Sequence, residues 1–84
     1  MKIEFDPSKD AANLAKHNIS LARAADLKVF AAIEDDRFSN EIRFRAYGLI
    51  DGLTYCLAYT LRNDNIRPIS LRRAHAKEIK RYAP

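Results

Sequence analysis

The sequence is poor in the residues on which metal sites, phosphate-binding loops and disulfide frameworks depend. Its 84 residues include one cysteine, two glycines and two histidines. The lone Cys56 excludes an internal disulfide and a zinc site built from several cysteines, and the two histidines lack the spacing of a metal-binding motif. Two glycines are too few for a glycine-rich phosphate loop. We therefore expect neither a metal ion nor a cofactor.

Long apolar runs are also lacking. No segment approaches the ~18 apolar residues that a membrane-spanning helix requires. The opening residues alternate in charge and contain no apolar stretch like that of a signal peptide. Hydrophobic residues at 48% and charged residues at 31% are the balance of an ordinary globular domain. We therefore expect one cytoplasmic domain over residues 1–84 that makes no membrane contact.

Charge is divided unevenly along the chain. Residues 1–42 carry six basic and eight acidic side chains, whereas residues 43–84 carry nine basic and three acidic ones. Seven of the nine arginines lie in the second half. Arginine binds phosphate through two parallel N–H groups, so this split indicates a surface that faces a polyanion. The alternative is a solvated basic surface that only maintains solubility.

The hydrophobic pattern predicts an α+β fold with the element order β-α-α-β-β-β-α and helices packed against an antiparallel sheet. Asp6-Pro7 is typical of a helix start, and Asp51-Gly52 of a type I′ hairpin. Pro68 indicates an edge position or a bulge, because proline has no amide hydrogen to donate. The predicted elements are strands over residues 3–5, 41–50, 53–62 and 66–71 and helices over residues 7–17, 21–32 and 74–82.

Basic and aromatic side chains after residue 42 are the best candidates to carry function. Guanidinium groups and aromatic rings along one sheet face are typical of proteins that hold single-stranded RNA. Arg72 and Arg73 are adjacent at a strand-to-helix junction, which favours a functional role, whereas Lys80 and Arg81 are typical of a solvated helix surface. The full set comprises Arg43, Arg45, Arg62, Arg67, Arg72, Arg73, Lys77, Lys80 and Arg81, with Tyr47, Tyr55, Tyr59 and Tyr82.

Few side chains are available for proton transfer. RNA cleavage without a metal requires a base for the 2′-hydroxyl group, cations for the charged phosphorane and an acid for the leaving oxygen. His17 has an ordinary pKa of ~6.5 and suits proton transfer, although a histidine at a helix C-terminus also serves as a cap. Glu41 and Glu78 are candidates for acid–base groups or for ion-pair partners that orient arginines. The sequence pattern leaves these alternatives open.

A set of short motifs runs in unbroken order along nearly the whole chain. Together these motifs resemble the BrnT family of bacterial toxins, the ribonuclease half of BrnT–BrnA type II toxin–antitoxin pairs. The chain departs from the family pattern at Leu53, where an arginine is common, and at Pro68, where an isoleucine is expected. The motifs are Phe5-Asp6-Pro7-x-Lys9, Asn13-x-x-Lys16-His17-x-Ile19-Ser20, Glu41-x-Arg43, Tyr59-Thr60-x-Arg62, and Ile66-Arg67-x-Ile69-Ser70-x-Arg72-Arg73-Ala74 followed by Lys77-Glu78 and Tyr82.

The resemblance implies a compact fold like that of the RelE-type toxins. It also implies a metal-independent endoribonuclease that cleaves RNA and inhibits translation and growth. Its implied partner is a BrnA-like antitoxin, whose dimer forms a higher-order inhibitory complex with the toxin and alone contacts DNA. The two other hypotheses are a non-catalytic RNA-binding module and a basic protein-interaction module.

The resemblance implies roles in RNA handling for Lys16, His17, Arg43, Arg62, Arg67, Arg72, Glu78 and Tyr82, and the basic pattern adds Arg45, Arg73 and Lys77. His17 and Glu78 are the acid–base candidates, and arginines stabilise the charge of the transition state. The catalytic candidates are His17, Arg43, Arg62, Arg72 and Glu78, and the RNA-binding candidates are Lys16, Arg45, Arg67, Arg73, Lys77 and Tyr82.

Overall fold

Four antiparallel strands form one sheet in the order β1-β2-β3-β4. The computed structural model describes residues 2–37 and 40–84. The predicted α+β class, with helices against an antiparallel sheet, is confirmed. In chain order the elements are α1 (Pro7–His17), a 3₁₀ helix (Leu21–Asp26), β1 (Lys28–Asp35), β2 (Arg43–Ile50), β3 (Leu53–Arg62), β4 (Asn65–Arg73) and α2 (Ala76–Tyr82).

The predicted order is wrong at two points. The segment over residues 21–32 is not one helix, because it ends as a 3₁₀ helix at Asp26 and continues as β1. Val29, Phe30 and Ile33 are β-branched or aromatic residues that suit a strand, and pairing with β2 places this segment in the sheet. The predicted first strand is a single parallel bridge between Ile3 and Ile66.

Local signals placed the helix start and the first hairpin correctly. Asp6 caps α1 by accepting a hydrogen bond from the Ser8 amide at 2.8 Å. Asn18 ends the helix in the left-handed region with a φ of 59°. Asp51 and Gly52 both have positive φ, at 50° and 78°, as a type I′ turn requires.

One sheet face packs against α1 and the 3₁₀ helix to form the hydrophobic core. Leu21, Leu57 and Leu71 are buried at its centre, and burying each leucine stabilises the fold by about 2 kcal/mol. Asn13 on α1 is also buried; it donates to the Ile19 and Leu71 carbonyls and accepts from the Leu71 amide. These bonds hold α1 against β4.

The opposite sheet face is polar and carries α2. Alternation along β2 sends Arg45 and Tyr47 to this face, between the core-facing residues of the same strand. Cross-strand pairing then aligns Tyr47 with Cys56 on β3, and Cys56 with Arg72 on β4. The sheet register therefore brings residues from three strands to one polar site.

Pro68 lies on the edge strand β4, at an irregularity in its pairing with β3, as the sequence predicts. It is fully buried and pairs with Tyr59. Within residues 2–37 and 40–84, no helix is long and apolar enough to cross a membrane.

Candidate active site

The carboxylate of Glu78 on α2 accepts hydrogen bonds from two strands of the sheet. Arg72 donates from Nη1 to Oε1 at 2.7 Å and from Nη2 to Oε2 at 3.1 Å. Tyr47 donates its hydroxyl to Oε2 at 2.5 Å, and Arg45 Nη1 lies 3.5 Å from the same oxygen. The His75 amide adds a bond to Oε1 at 2.8 Å. Glu78 is thus the centre of a dense, charge-assisted network.

This network determines the protonation states of its members. Burial raises the pKa of Glu78, but hydrogen bonds from Arg72 and Tyr47 outweigh burial and bring the pKa down to about 2. Burial and the bond to Glu78 raise the pKa of the Tyr47 hydroxyl well above its ordinary value. At neutral pH, Glu78 is therefore an anion without a proton to donate, and Tyr47 is a neutral donor.

Asp35 at the end of β1 forms a second acidic centre beside the first. Its buried carboxylate accepts from Arg37 Nε at 2.8 Å and Arg37 Nη2 at 2.6 Å. The hydrogen bonds from Arg37 lower the pKa of Asp35 to about 2. Arg45 Nε lies 3.5 Å from Asp35 and, within the part of the chain described, is buried without a hydrogen bond. Arg45 therefore lies between two carboxylates.

A cavity of about 190 Å³ opens next to this network on the polar face. Arg43, Arg45 and Arg72 line it together with Asp35 and Ser70. Arg43 is oriented by an ion pair at 2.9 Å with Glu41, which is the orienting role the sequence left open for that glutamate. With Arg37, four arginines among the described residues line the cavity around the single carboxylate of Asp35, which makes it a suitable place for a phosphate group.

A second cavity, of about 280 Å³, lies on the other side of strand β4. Lys16 and His17 from the end of α1 line it. Ile69 and Ser70 line both cavities, so the two are neighbours across β4. A nucleic acid strand that crosses β4 would meet His17 on one side and the arginine cavity on the other.

His17 is half-buried, and its environment favours the neutral imidazole. Burial lowers the pKa of His17 below its ordinary value, and the positive charges of Lys16 and Arg72 lower it further. A neutral imidazole at pH 7 has a free lone pair and can accept a proton.

Four of the basic residues predicted from sequence lie away from this cluster. Arg62 is exposed at the far end of β3 and lines a different cavity. Arg67 lies near enough to Asp6 to contribute, after the hydrogen bonds from Ser8, to lowering the pKa of that carboxyl. Arg73 lies over the ring of Tyr55, 5.6 Å from its centre. Lys77 is exposed on α2.

Tyr82, predicted to bind RNA, packs within the protein. Its ring stacks on Tyr47 with centroids 4.7 Å apart and planes at 17°. The guanidinium of Arg81 lies over the same Tyr82 ring, 5.5 Å from its centre. Tyr82 therefore covers Tyr47 and anchors the end of α2.

The sequence prediction missed Tyr47 and Asp35 as members of the site. Tyr47 was grouped with the other tyrosines, although its alternation with Arg45 on one strand places both on the same face. The sequence analysis singles out no role for Asp35, whose ion-pair partner Arg37 follows two residues later. Among residues 2–37 and 40–84, no three His, Cys, Asp or Glu side chains cluster in a way that could hold a metal ion.

Comparisons with known proteins identify the family of the chain. Residues 5–78 match the model of a family described as the ribonuclease toxin BrnT of type II toxin–antitoxin systems. The 1.1 Å crystal structure of the Brucella abortus ribonuclease toxin BrnT is similar, with a TM-score of 0.66 and 28% sequence identity. The match covers 89% of this chain and 97% of that one, whereas no curated protein matches. The chain belongs to the BrnT family of ribonuclease toxins, which act in type II toxin–antitoxin systems and so have an antitoxin partner.

Proposed function

We propose that this chain is a metal-independent endoribonuclease that inhibits translation and growth and is neutralised by a BrnA-like antitoxin. The observation that carries the proposal is the placement of His17 and Arg72 on neighbouring cavities that share Ser70. A neutral base and a phosphate-binding arginine are the two groups that cleavage by the 2′-hydroxyl needs most. Family membership supports the same activity.

In the proposed reaction, His17 accepts the proton of the RNA 2′-hydroxyl. The 2′ oxygen then attacks the adjacent phosphorus, and the bond from phosphorus to the 5′ oxygen breaks. The 5′ oxygen takes a proton from water, and the hydroxide left behind takes the proton from His17, which restores the neutral base. The products are a 2′,3′-cyclic phosphate and a 5′-hydroxyl. Arg72 and Arg45 stabilise the negative charge that develops on the phosphate oxygens. Glu78, an anion with a pKa of about 2, transfers no proton in this scheme.

The remaining basic residues extend the contact with RNA. Lys16 and Arg43 line the two central cavities and bind phosphates next to the cleaved one. Arg62, Arg67 and Arg73 lie farther out and contribute mainly to affinity. Contacts of this kind weaken as salt rises, by about one unit of log–log slope for each phosphate contact.

The proposed inhibitory partner is a BrnA-like antitoxin dimer that covers part of the basic surface. We propose that the complex is of higher order, that DNA is contacted only through the antitoxin, and that the toxin acts in the cytoplasm. The fold is in this view a relative of the RelE-type toxins.

The test is cleavage of a long single-stranded RNA by the purified chain in excess EDTA, with analysis of the product ends. We expect 2′,3′-cyclic phosphate ends from the wild type, and losses of at least about 100-fold in His17→Ala and Arg72→Ala. Arg81→Ala is the matched control, because it removes an arginine of α2 that lines neither cavity. Bound but intact RNA, with or without ribosomes, would instead favour the non-catalytic RNA-binding module.

A further inference from the structure

The side chains that hold Glu78 form an anion-binding site on the sheet. Arg72 offers two parallel N–H groups, Tyr47 offers a hydroxyl, and Arg45 offers a third cationic N–H at 3.5 Å. Forked guanidinium donors bind carboxylate and phosphate oxygens in the same way. The Glu78 carboxylate therefore occupies a place where a phosphate group has the same set of donors available.

The helix that carries Glu78 is only lightly attached to the rest of the protein. α2 has seven residues, and none of them is buried. Its attachment to the polar face depends on Glu78 and on the stacking of Tyr82 over Tyr47. α1, by contrast, is held by the buried Asn13. A short helix with little buried surface detaches at a lower free-energy cost than the core elements do.

Access to the anion site requires that α2 move. Tyr47 is 0% exposed, and its hydroxyl points to Glu78 beneath the Tyr82 ring. Asp35, paired with Arg37, stays on the sheet beside Arg45 when α2 leaves. A phosphodiester that replaces Glu78 substitutes one negative charge for another, so the arginines remain neutralised throughout the exchange.

We propose that Glu78 is an internal substitute for an RNA phosphate, and that RNA binds by displacing Glu78 and α2 from Arg45, Tyr47 and Arg72. This inference rests on the proposed function, because it takes the ligand to be RNA. In the free protein the Glu78 carboxylate pairs with Arg72 and gives Arg45 a second acidic partner beside Asp35. In the complex the RNA phosphate pairs with these arginines instead. Because Glu78 must first be displaced, the protein binds RNA more weakly than it would if Glu78 and α2 were already away from the site.

The test measures the affinity for a fully 2′-O-methylated RNA oligonucleotide, which lacks the attacking hydroxyl and stays intact. Glu78→Gln keeps the shape of the side chain and removes its charge. We expect this variant to bind the oligonucleotide about tenfold more tightly than the wild type, since the closed state no longer competes. Glu34→Gln is the matched control, because it makes the same charge change on the exposed surface of β1. Adding Arg72→Ala to Glu78→Gln removes the gain.

Two further measurements test the same proposal without the Glu78→Gln variant, in case that variant does not fold. Tyr82→Ala removes the stacking on Tyr47 and leaves the Glu78 carboxylate in place. Because α2 is then held less firmly, we expect this variant also to bind the oligonucleotide more tightly than the wild type. In the wild type, saturating oligonucleotide increases amide hydrogen exchange over residues 76–82. Weaker binding by a folded Glu78→Gln, a gain no larger than that of Glu34→Gln, or increased protection of residues 76–82 would overturn the proposal.

The oligonucleotide separates this inference from the nuclease proposal. If Glu78→Gln tightens oligonucleotide binding but the protein never cleaves RNA, the displacement mechanism holds and the ribonuclease proposal fails. If the protein cleaves RNA but Glu78→Gln weakens oligonucleotide binding, the ribonuclease proposal holds and the displacement mechanism fails.

Discussion

The hydroxyl of Tyr47 on β2 donates a 2.5 Å hydrogen bond to Glu78, which lies 31 residues later on α2. Tyr47 also accepts a hydrogen bond from Arg45 Nη1 at 2.9 Å. The phenol thus links an arginine of the sheet to the carboxylate of the terminal helix, within a site that also contains Arg72. Four consequences of this site and its supporting fold can be measured.

Tyr47→Phe removes the hydroxyl and keeps the ring that Tyr82 stacks on. We expect the free energy of unfolding to fall by about 1–3 kcal/mol, because Glu78 and Arg45 each lose a partner in a buried place. Urea unfolding measures the change. Tyr59→Phe, a half-buried tyrosine on the core face, is the control, and an equal loss in both variants would contradict the importance of the Tyr47 bond.

The rate of RNA cleavage should depend on the protonation of His17. Burial and the charges of Lys16 and Arg72 lower its pKa, so the base stays active to a lower pH than an ordinary histidine would. We expect kcat/KM to fall on the acid side with a midpoint below ~6.5. Arg72→Ala should raise the pKa of His17 toward that value in an NMR titration, and an unchanged value would show that the two residues do not interact.

Acid should destabilise the protein through Asp35 and Glu78. Both carboxyls have a pKa of about 2 in the folded chain, below the ordinary values of 3.8 and 4.5. Their contribution is therefore complete above about pH 5 and is lost as the pH falls toward 2. Urea unfolding at several pH values measures this loss. Asp35→Asn should flatten the profile between pH 5 and 3, whereas Glu34→Gln should leave it unchanged.

Gly48→Ala should destabilise the sheet. An added Cβ would lie 2.4 Å from the Lys28 carbonyl oxygen and 2.9 Å from the Val29 Cα, both of them backbone atoms of β1. Separating β1 from β2 to make room costs about 1–3 kcal/mol, or roughly 4–20 °C in Tm. Gly52→Asn, at the open hairpin turn where asparagine tolerates positive φ, should cost less. Similar losses at both positions would contradict the close approach at Gly48.

Much of the local structure follows from short-range preferences. Asp6-Pro7 and Asn18 delimit α1 because the cap, the ring of proline and the left-handed residue each act within one helical turn. Asp51-Gly52 determines its hairpin in the same way, and the predicted bounds of β3 agree with those observed. These features could be predicted because their energy comes from neighbours in sequence.

Residues 28–35 show where such reasoning fails. Val29 and Ala32 continue a helical stripe from Ala22 and Ala25, but this segment is a strand, because β1 gains its hydrogen bonds only when β2 lies beside it. That pairing depends on Gly48, which lets the Lys28 backbone come close. The helical preference of this segment is too weak to compete with the long-range hydrogen bonds between β1 and β2, even though their register is interrupted between Val29 and Ala31.

The same distinction between local and long-range determinants applies to the candidate site. The sequence by itself determined the basic second half, the likeness to the BrnT family and the candidates His17, Arg72 and Glu78. It did not show that Arg72 and Arg62 lie in different places. Arg72 pairs with Cys56 on β3, whereas Arg62 lies six residues, or about 20 Å, farther along the same strand. Only the tertiary structure decided that difference, because strand register and the placement of α2 determine which charges share one desolvated surface.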